Sequence, residues 1–302
     1  VAHAQTIQVL MGPTGTGKSA LAIRIAQARP TVIINADAMQ MVADLRIITA
    51  RPSLAEEAQA EHALYGVLPA AEPTSVARWL ALVVPVVQRA WAAGKTPLLV
   101  GGTGMYIKAL REGLAAMPPI PGAIRERLRA MDAPALYAAL RARDPESAAT
   151  FTPGDTQRLA RALEVLEATG KPIQWWQAQK ASPAFPAAQW QLFALTLPRE
   201  VLYARLNTRF DAMMEAGALA EVEALLAQNL PADTPILRAH GVPELAAYLR
   251  GDMTREAAVV QAQQHTRNYA KRQMTWLRHS AGDAVMLDAT QPNPAIFMEL
   301  SH

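Results

Sequence analysis

The chain contains no cysteine among its 302 residues. That absence removes disulfides, thiol nucleophiles and cysteine-ligated zinc from consideration. Long apolar runs are missing too. Nothing approaches the roughly eighteen unbroken apolar residues of a membrane helix, and the longest candidate, LALVVPVVQRAW, is split by Pro85 and reaches Arg89. The opening VAHAQTIQVLM lacks a charged leader and a long apolar stretch, unlike a secretory signal. Charge of one sign is scarce as well: 29 Lys+Arg stand against 26 Asp+Glu, a net +3. An acidic partner is therefore permitted but not demanded, and the placement of the basic side chains must decide. These absences predict a soluble cytoplasmic protein with no membrane partner, expected to be a monomer. Half of the residues (51%) are apolar, enough for a substantial core in one large domain or two.

What is present has a clear order. TIQVLMG, TVIINAD and TPLLVGG are apolar runs of strand length, each ending in Gly or Asp. Strands buried on both faces of a parallel sheet read this way. Between them lie KSALAIRIAQA and TSVARWLALVVPVVQRAWAAG, with apolar residues at helical spacing. The alternation predicts an α/β fold, a P-loop NTPase-like three-layer sandwich. Two proline-rich stretches, at 115–123 and 180–189, bracket a segment of Arg- and Ala-rich helices. QLFALTL and AVMLDAT then read as later strands. The expected layout is a core over 1–117 and 190–302, interrupted by an all-helical insertion over 118–189.

The run Gly12-Pro13-Thr14-Gly15-Thr16-Gly17-Lys18-Ser19 sits between the first strand and the first helix. Its glycines let successive amides turn inward and form an anion nest at a helix N-terminus. Lys18 is placed to neutralise a terminal phosphate, and the Ser19 hydroxyl to bind Mg²⁺. The alternative, a glycine turn with a solvated lysine, does not account for the strand before and the helix after. One expected partner is lacking. Phosphate-loop hydrolases commonly carry an Asp at the end of a neighbouring apolar strand, whereas PLLVGG ends in glycines followed by Thr103-Gly104. The nearest acid is Asp37, which reads equally as a metal-shell ligand, a general base or a helix N-cap. Thr103 offers a hydroxyl where the glycines leave room for a substrate, or is a plain turn residue.

Two basic helices follow. DTQRLARALEVLEATG sets Leu159, Leu163 and Leu166 on one face, with Asp155 or Thr156 as N-cap. Its Gln157, Arg158 and Arg161 present amide and guanidinium groups together, suited to phosphates and base edges. The plainer reading pairs Arg161 with Glu164. In HTRNYAKRQMTWLRH, Arg267, Lys271 and Arg278 share a face that could screen a diphosphate or meet an RNA backbone, with Tyr269 and Trp276 set apart as core. Trp175-Trp176 reads first as buried packing and second as a stacking surface.

GPTGTGKS, NADAMQ, TARP, GGTGMYIKAL, DTQRLARALEVLEATGKP and RNYAKRQMTW, in this order, resemble the tRNA dimethylallyltransferases, also called tRNA isopentenyltransferases. The resemblance implies that the loop from Gly12 to Ser19 grips the diphosphate of dimethylallyl diphosphate, with Lys18 and Ser19 holding it and Mg²⁺. It implies that Asp37 takes a proton from the exocyclic amine of the adenine just 3′ of the anticodon, and that Thr103 stands where donor and adenine meet. It further implies tRNA contacts at Asp37, Ala38, Met39 and Gln40, at Arg125, and at Gln157, Arg158, Leu159, Ala160 and Arg161. The chain departs from the family pattern in places. Ala38 replaces a serine, Val42 and Ala43 replace Tyr-Arg, Ile48 replaces a glycine, and Ala63 replaces a histidine. Val242 and Pro243 stand where an aromatic and a lysine are common. Three rivals remain open: a small-molecule kinase of similar fold, an RNA-binding protein whose loop senses a nucleotide without turnover, and an adenylate isopentenyltransferase acting on free nucleotide.

Overall fold

The computed structural model describes residues 5–179, 181–280 and 282–299; the opening VAHA and Lys180 lie outside them. The first stretch runs β1 (Thr6–Met11), α1 (Lys18–Ala28), β2 (Thr31–Asn35), α2 (Leu54–Glu57), β3 (His62–Ala63), α3 (Val76–Ala92), β4 (Thr96–Gly101) and α4 (Gly104–Glu112). Five helices follow: α5 (Gly122–Arg129), α6 (Ala133–Arg143), α7 (Pro145–Thr150), α8 (Thr156–Thr169) and α9 (Ile173–Ala178). The chain returns through β5 (Gln189–Thr196), α10 (Arg199–Glu215), α11 (Ala218–Leu226), α12 (Val242–Leu249), α13 (Arg255–Ser280), β6 (Val285–Asp288) and α14 (Ile296–Glu299).

The strands form one parallel sheet in the order β3-β2-β4-β1-β5-β6. β1 and β4 occupy the middle, and their unbroken apolar runs are the consequence: Ile7, Val9, Leu10, Leu98 and Leu99 are fully buried. From β1 the chain crosses over β4 to reach β2, whereas from β4 it crosses over β1 to reach β5. Connections that leave in opposite directions open a crevice at the carboxyl ends of these two strands. The loop 12–17 and the glycines 101–102 both end there. Proline 85 does not stop α3, which continues through it from Val76 to Ala92. A ring in mid-helix forfeits one backbone bond, while Trp79, Val83 and Val87 on the same helix are fully buried against the sheet. The two-residue β3 carries no apolar run and is absent from the sequence-level expectation.

Packing divides the chain into one unit of residues 1–108 with 187–302 and a second of residues 109–186. The sequence placed the boundaries at 118 and 189, because prolines mark breaks in regular structure rather than breaks in packing. The second unit is all-helical and has its own core, in which Leu128, Leu136, Leu140, Leu159 and Leu163 are fully buried. At about 1.5–3 kcal/mol for each such side chain, that cluster supplies the unit with a driving force of its own.

Candidate active site

The first strand ends in a loop whose Gly12, Gly15 and Gly17 all take positive φ, at 151°, 86° and 90°. α1 begins on Gly17 with no side-chain cap and no acid in its first turn, so its leading amides remain available to an anion. Lys18 folds back across the loop: Nζ donates to the carbonyls of Gly12 and Pro13 at 2.8 Å each. The buried Thr16 hydroxyl donates to Pro13 O at 2.9 Å and closes the turn from inside. Thr14, Gly15, Gly17, Lys18 and Ser19 then line a cavity of about 420 Å³.

Asp37 stands on the same cavity, and Asn35 at the end of β2 puts it there. The Asn35 side chain is fully buried. Its Oδ1 accepts from Asp37 N at 2.8 Å, and its Nδ2 donates to Asp37 O at 2.9 Å and Leu64 O at 3.0 Å. The Asn35 carbonyl accepts from the indole of Trp79 at 2.8 Å, and that indole stacks on Tyr106 at 4.7 Å. Asp37 also accepts from Met39 N at 3.0 Å, so it terminates a short turn while facing the cavity. Burial pushes its carboxyl pKa up, against the opposing pull of the Met39 amide, the Lys18 ammonium and the Gln40 amide. Burial likewise pulls Lys18 down to about 8, with Asp37 opposing the shift and Arg209 adding to it. A cation and an anion that both resist their charged forms, lining one cavity, are suited to binding an anion and accepting a proton.

Two contributors escaped the sequence reading. Arg209, on α10, donates from Nη2 to the Thr14 hydroxyl at 2.7 Å, and burial lowers its pKa to about 10. Gln273, on α13, accepts from Thr14 N at 2.9 Å and donates to Gly102 O at 3.3 Å. The same helix presses Trp276 against Gly104. A β-carbon at Gly102 would lie 2.0 Å from Gln273 Nε2, and one at Gly104 would lie 2.2 Å from Trp276 Cζ2. The glycines after β4 are therefore a docking groove for α13, and Thr103 lines the small cleft between them. Arg267, Lys271 and Arg278 do not line the cavity; α13 turns Thr266, Tyr269 and Gln273 to it instead. The charged face read from the sequence thus does not screen the anion site, and Tyr269 belongs to the cavity rather than to the core.

Among the other residues singled out, Met39 and Gln40 line the cavity, and Ala38 precedes them in the turn. Gln40 spends its amide nitrogen on the carbonyls of Thr49 and Ala50, at 3.0 Å each. In the helical unit Gln157 and Arg158 are exposed, whereas Leu159 and Ala160 face the core. Asp155 is the N-cap of α8. Arg158 pairs with Asp155 at 3.3 Å and Arg161 with Glu164 at 3.1 Å. Arg125 is half-buried in α5. Trp176 donates to the Thr169 hydroxyl at 3.0 Å, while Trp175 stays 44% exposed under the Lys171 ammonium.

Fold and site together define a phosphate-loop α/β protein that can hold an anion opposite a buried carboxylate. The IPP transferase family model matches residues 40–280, and an isopentenyl transferase model matches residues 5–65. The chain belongs to the IPP transferase family. It is 50% identical to a tRNA dimethylallyltransferase of Azorhizobium caulinodans over 279 residues, covering 91% of this chain and 89% of that protein. It is 51% identical to one from a Methylobacterium species over 278 residues, covering 91% of each. Among solved structures, the tRNA isopentenylpyrophosphate transferase of Bacillus halodurans matches with a TM-score of 0.71 at 30% identity, over 98% of this chain and 94% of that one. A eukaryotic dimethylallyltransferase described as acting on tRNA matches with a TM-score of 0.77 at 28% identity, over 94% and 74% respectively.

Proposed function

We propose that this protein transfers the dimethylallyl group of dimethylallyl diphosphate to the exocyclic amine of the adenine 3′ of the anticodon in tRNA. The observation that carries the reading is the shared cavity of the anion nest and Asp37. Here the diphosphate lies in the nest as a leaving group. The amides of the loop 12–17, the Lys18 ammonium and the Arg209–Thr14 pair stabilise the charge it gains as the C–O bond breaks. The adenine nitrogen attacks the allylic carbon from the opposite side, and the electron pair of the C–O bond departs with diphosphate. Asp37 accepts the proton from that nitrogen, its raised pKa making it a stronger base than an ordinary aspartate. An aryl amine is a weak nucleophile, so alignment by Asp37 and the fixed nest contributes much of the acceleration, while Thr103 acts from the adjoining cleft, which shares Gly101 and Gly102 with the cavity.

Ser19 is the residue that would hold Mg²⁺. Ser19 lines the cavity from the first turn of α1, and no cluster of three His, Asp or Glu stands ready for a metal among the described residues. One hydroxyl combined with substrate oxygens and water suits Mg²⁺, which keeps much of its hydration shell. When bound, it would neutralise the diphosphate. The helical unit supplies the RNA grip in this reading, through the exposed Gln157 and Arg158 of α8, Arg161 and Arg125.

The test supplies dimethylallyl diphosphate with an anticodon stem-loop, with free AMP, or with ATP and a small acceptor. Prenylated stem-loop in the first arm alone supports the reading. Prenylated AMP favours the adenylate enzyme, and phosphoryl transfer from ATP favours the kinase.

A further inference from the structure

The segment from residue 46 to residue 50 belongs to no helix or strand, yet Ile48, Thr49 and Ala50 line the same cavity as Asp37 and Gln40. Backbone groups outside a ladder need other partners when they are covered. Here two side chains supply them. Glu221, on α11, accepts through Oε1 from Arg46 N at 2.5 Å and from Ile47 N at 2.9 Å, and through Oε2 from Ile48 N at 2.9 Å. Three successive amides turned to one anion form a nest. Gln40 Nε2 then donates to the carbonyls of Thr49 and Ala50 at 3.0 Å each. Every residue from 46 to 50 therefore has a backbone group held by Glu221 or by Gln40.

The Arg46 guanidinium takes no part in this grip. It turns instead to Glu57, at 3.3 Å, and to the Pro52 carbonyl. Glu221 thus holds the segment by its backbone, independently of the side chain that stands at position 48. α11 gives it a fixed base, since Ala218, Val222 and Leu225 are buried in one core with Val42, Leu45 and Ile48. Ala50 takes φ +53°, a region a non-glycine residue seldom enters, and the two clamps keep it there. Glu221 itself does not line the cavity.

Gln40 connects this segment to the proton acceptor. Its side chain grips residues 49 and 50, while its own backbone amide joins that of Met39 in donating to the Asp37 carboxylate. Two further bonds share the task. Gly66 N donates to the Gln40 carbonyl at 2.9 Å, and Asn35 fixes the backbone of Asp37. Resting on the transfer reading above, we propose that Glu221 is a positioning residue for the reaction: by fixing residues 46–48 it sets the carbonyls that Gln40 grips, and through Gln40 it aims the Asp37 carboxylate at the adenine amine. The diphosphate nest lies outside this chain of bonds, held by Arg209 and Gln273.

The experiment is a double-mutant cycle read by single-turnover transfer from dimethylallyl diphosphate to an anticodon stem-loop. Glu221→Gln keeps the shape and one oxygen but sets an amide group against one of the three backbone donors. In the wild-type background it is expected to slow transfer about tenfold, with the donor KM held within twofold. In the Asp37→Asn background, where the group it aims no longer accepts a proton, the same change should slow transfer by less than about twofold. Glu221→Asp keeps both oxygens on a shorter stem and should show the same dependence on Asp37 with a several-fold effect. It serves as the second variant should Glu221→Gln fail to fold, with thermal unfolding followed for both. A slowing of equal size in the two backgrounds overturns the proposal, because it shows a purely structural role. A wild-type rate in both folded variants overturns it as well. Either result leaves the transfer reading intact, whereas a wild type that transfers no prenyl group refutes that reading and the proposal together.

Discussion

Raising the pH through 8 should weaken capture of the prenyl donor, because the ammonium that faces the diphosphate is buried. Burial lowers the Lys18 pKa from 10.5 to about 8, with Arg209 reinforcing the shift and Asp37 opposing it. A base with a lowered pKa is charged below that value and loses its charge as the pH rises through it. Between pH 7 and pH 9 the ammonium fraction falls about tenfold, and kcat/KM for the donor, which reports groups of the free enzyme, should fall in step. The acid limb has the opposite sign. Asp37 must be ionised to accept a proton, and burial raises its pKa, so activity should decline on acidification above the usual aspartate range. Bound diphosphate favours the ammonium, so the alkaline limb of kcat should lie at higher pH than that of kcat/KM. The assay is transfer to a saturating anticodon stem-loop at subsaturating donor, from pH 5 to pH 9. In Lys18→Arg, slower overall, the alkaline limb near pH 8 should disappear. A kcat/KM that is flat from pH 7 to pH 9, or a limb unchanged in Lys18→Arg, would refute the assignment.

Other perturbations have equally definite outcomes. Asn35→Asp replaces the nitrogen that donates to the carbonyls of Asp37 and Leu64 with an acceptor. It should cost about 2–4 kcal/mol in urea unfolding, and a loss below 1 kcal/mol would contradict the buried network. Gly102→Ala drives a β-carbon to 2.0 Å from Gln273 Nε2, displacing the amide that holds Thr14 N. The donor KM should rise about tenfold or more, and an unchanged KM would show that Gln273 does not order the nest. Arg158→Ala combined with Arg161→Ala should weaken RNA binding and reduce the magnitude of its salt slope by up to about two units. A wild-type slope in that double variant would exclude α8 from phosphate contact.

Much of this was legible along the chain. β1, β2 and β4 announce themselves as apolar runs because both faces of a central parallel strand are buried. The loop from Gly12 to Ser19 is legible because an anion nest at a helix start needs contiguous residues. Arg209 was not legible. It meets Thr14 across a separation of 195 residues, and nothing in LNTRF distinguishes it from a surface arginine. Gln273 and Tyr269 were masked by the louder charges beside them. α13 presents Arg267, Lys271 and Arg278 as a periodic face, yet docking on Gly102 and Gly104 fixes its rotation and turns the uncharged residues to the site. Asp37 was found, but its three readings could not be separated until Asn35 and Trp79 appeared behind it; the structure then makes it both a turn acceptor and a cavity carboxylate.

The account depends on Asp37 as the group that takes the proton, and Asp37→Asn tests it most directly. Asparagine keeps an oxygen for the Met39 amide and preserves the turn, but it cannot accept the adenine's proton. Single-turnover transfer from dimethylallyl diphosphate to an anticodon stem-loop should slow by about a hundredfold or more, with binding of both substrates held within a few-fold. A transfer rate within a few-fold of wild type would contradict it.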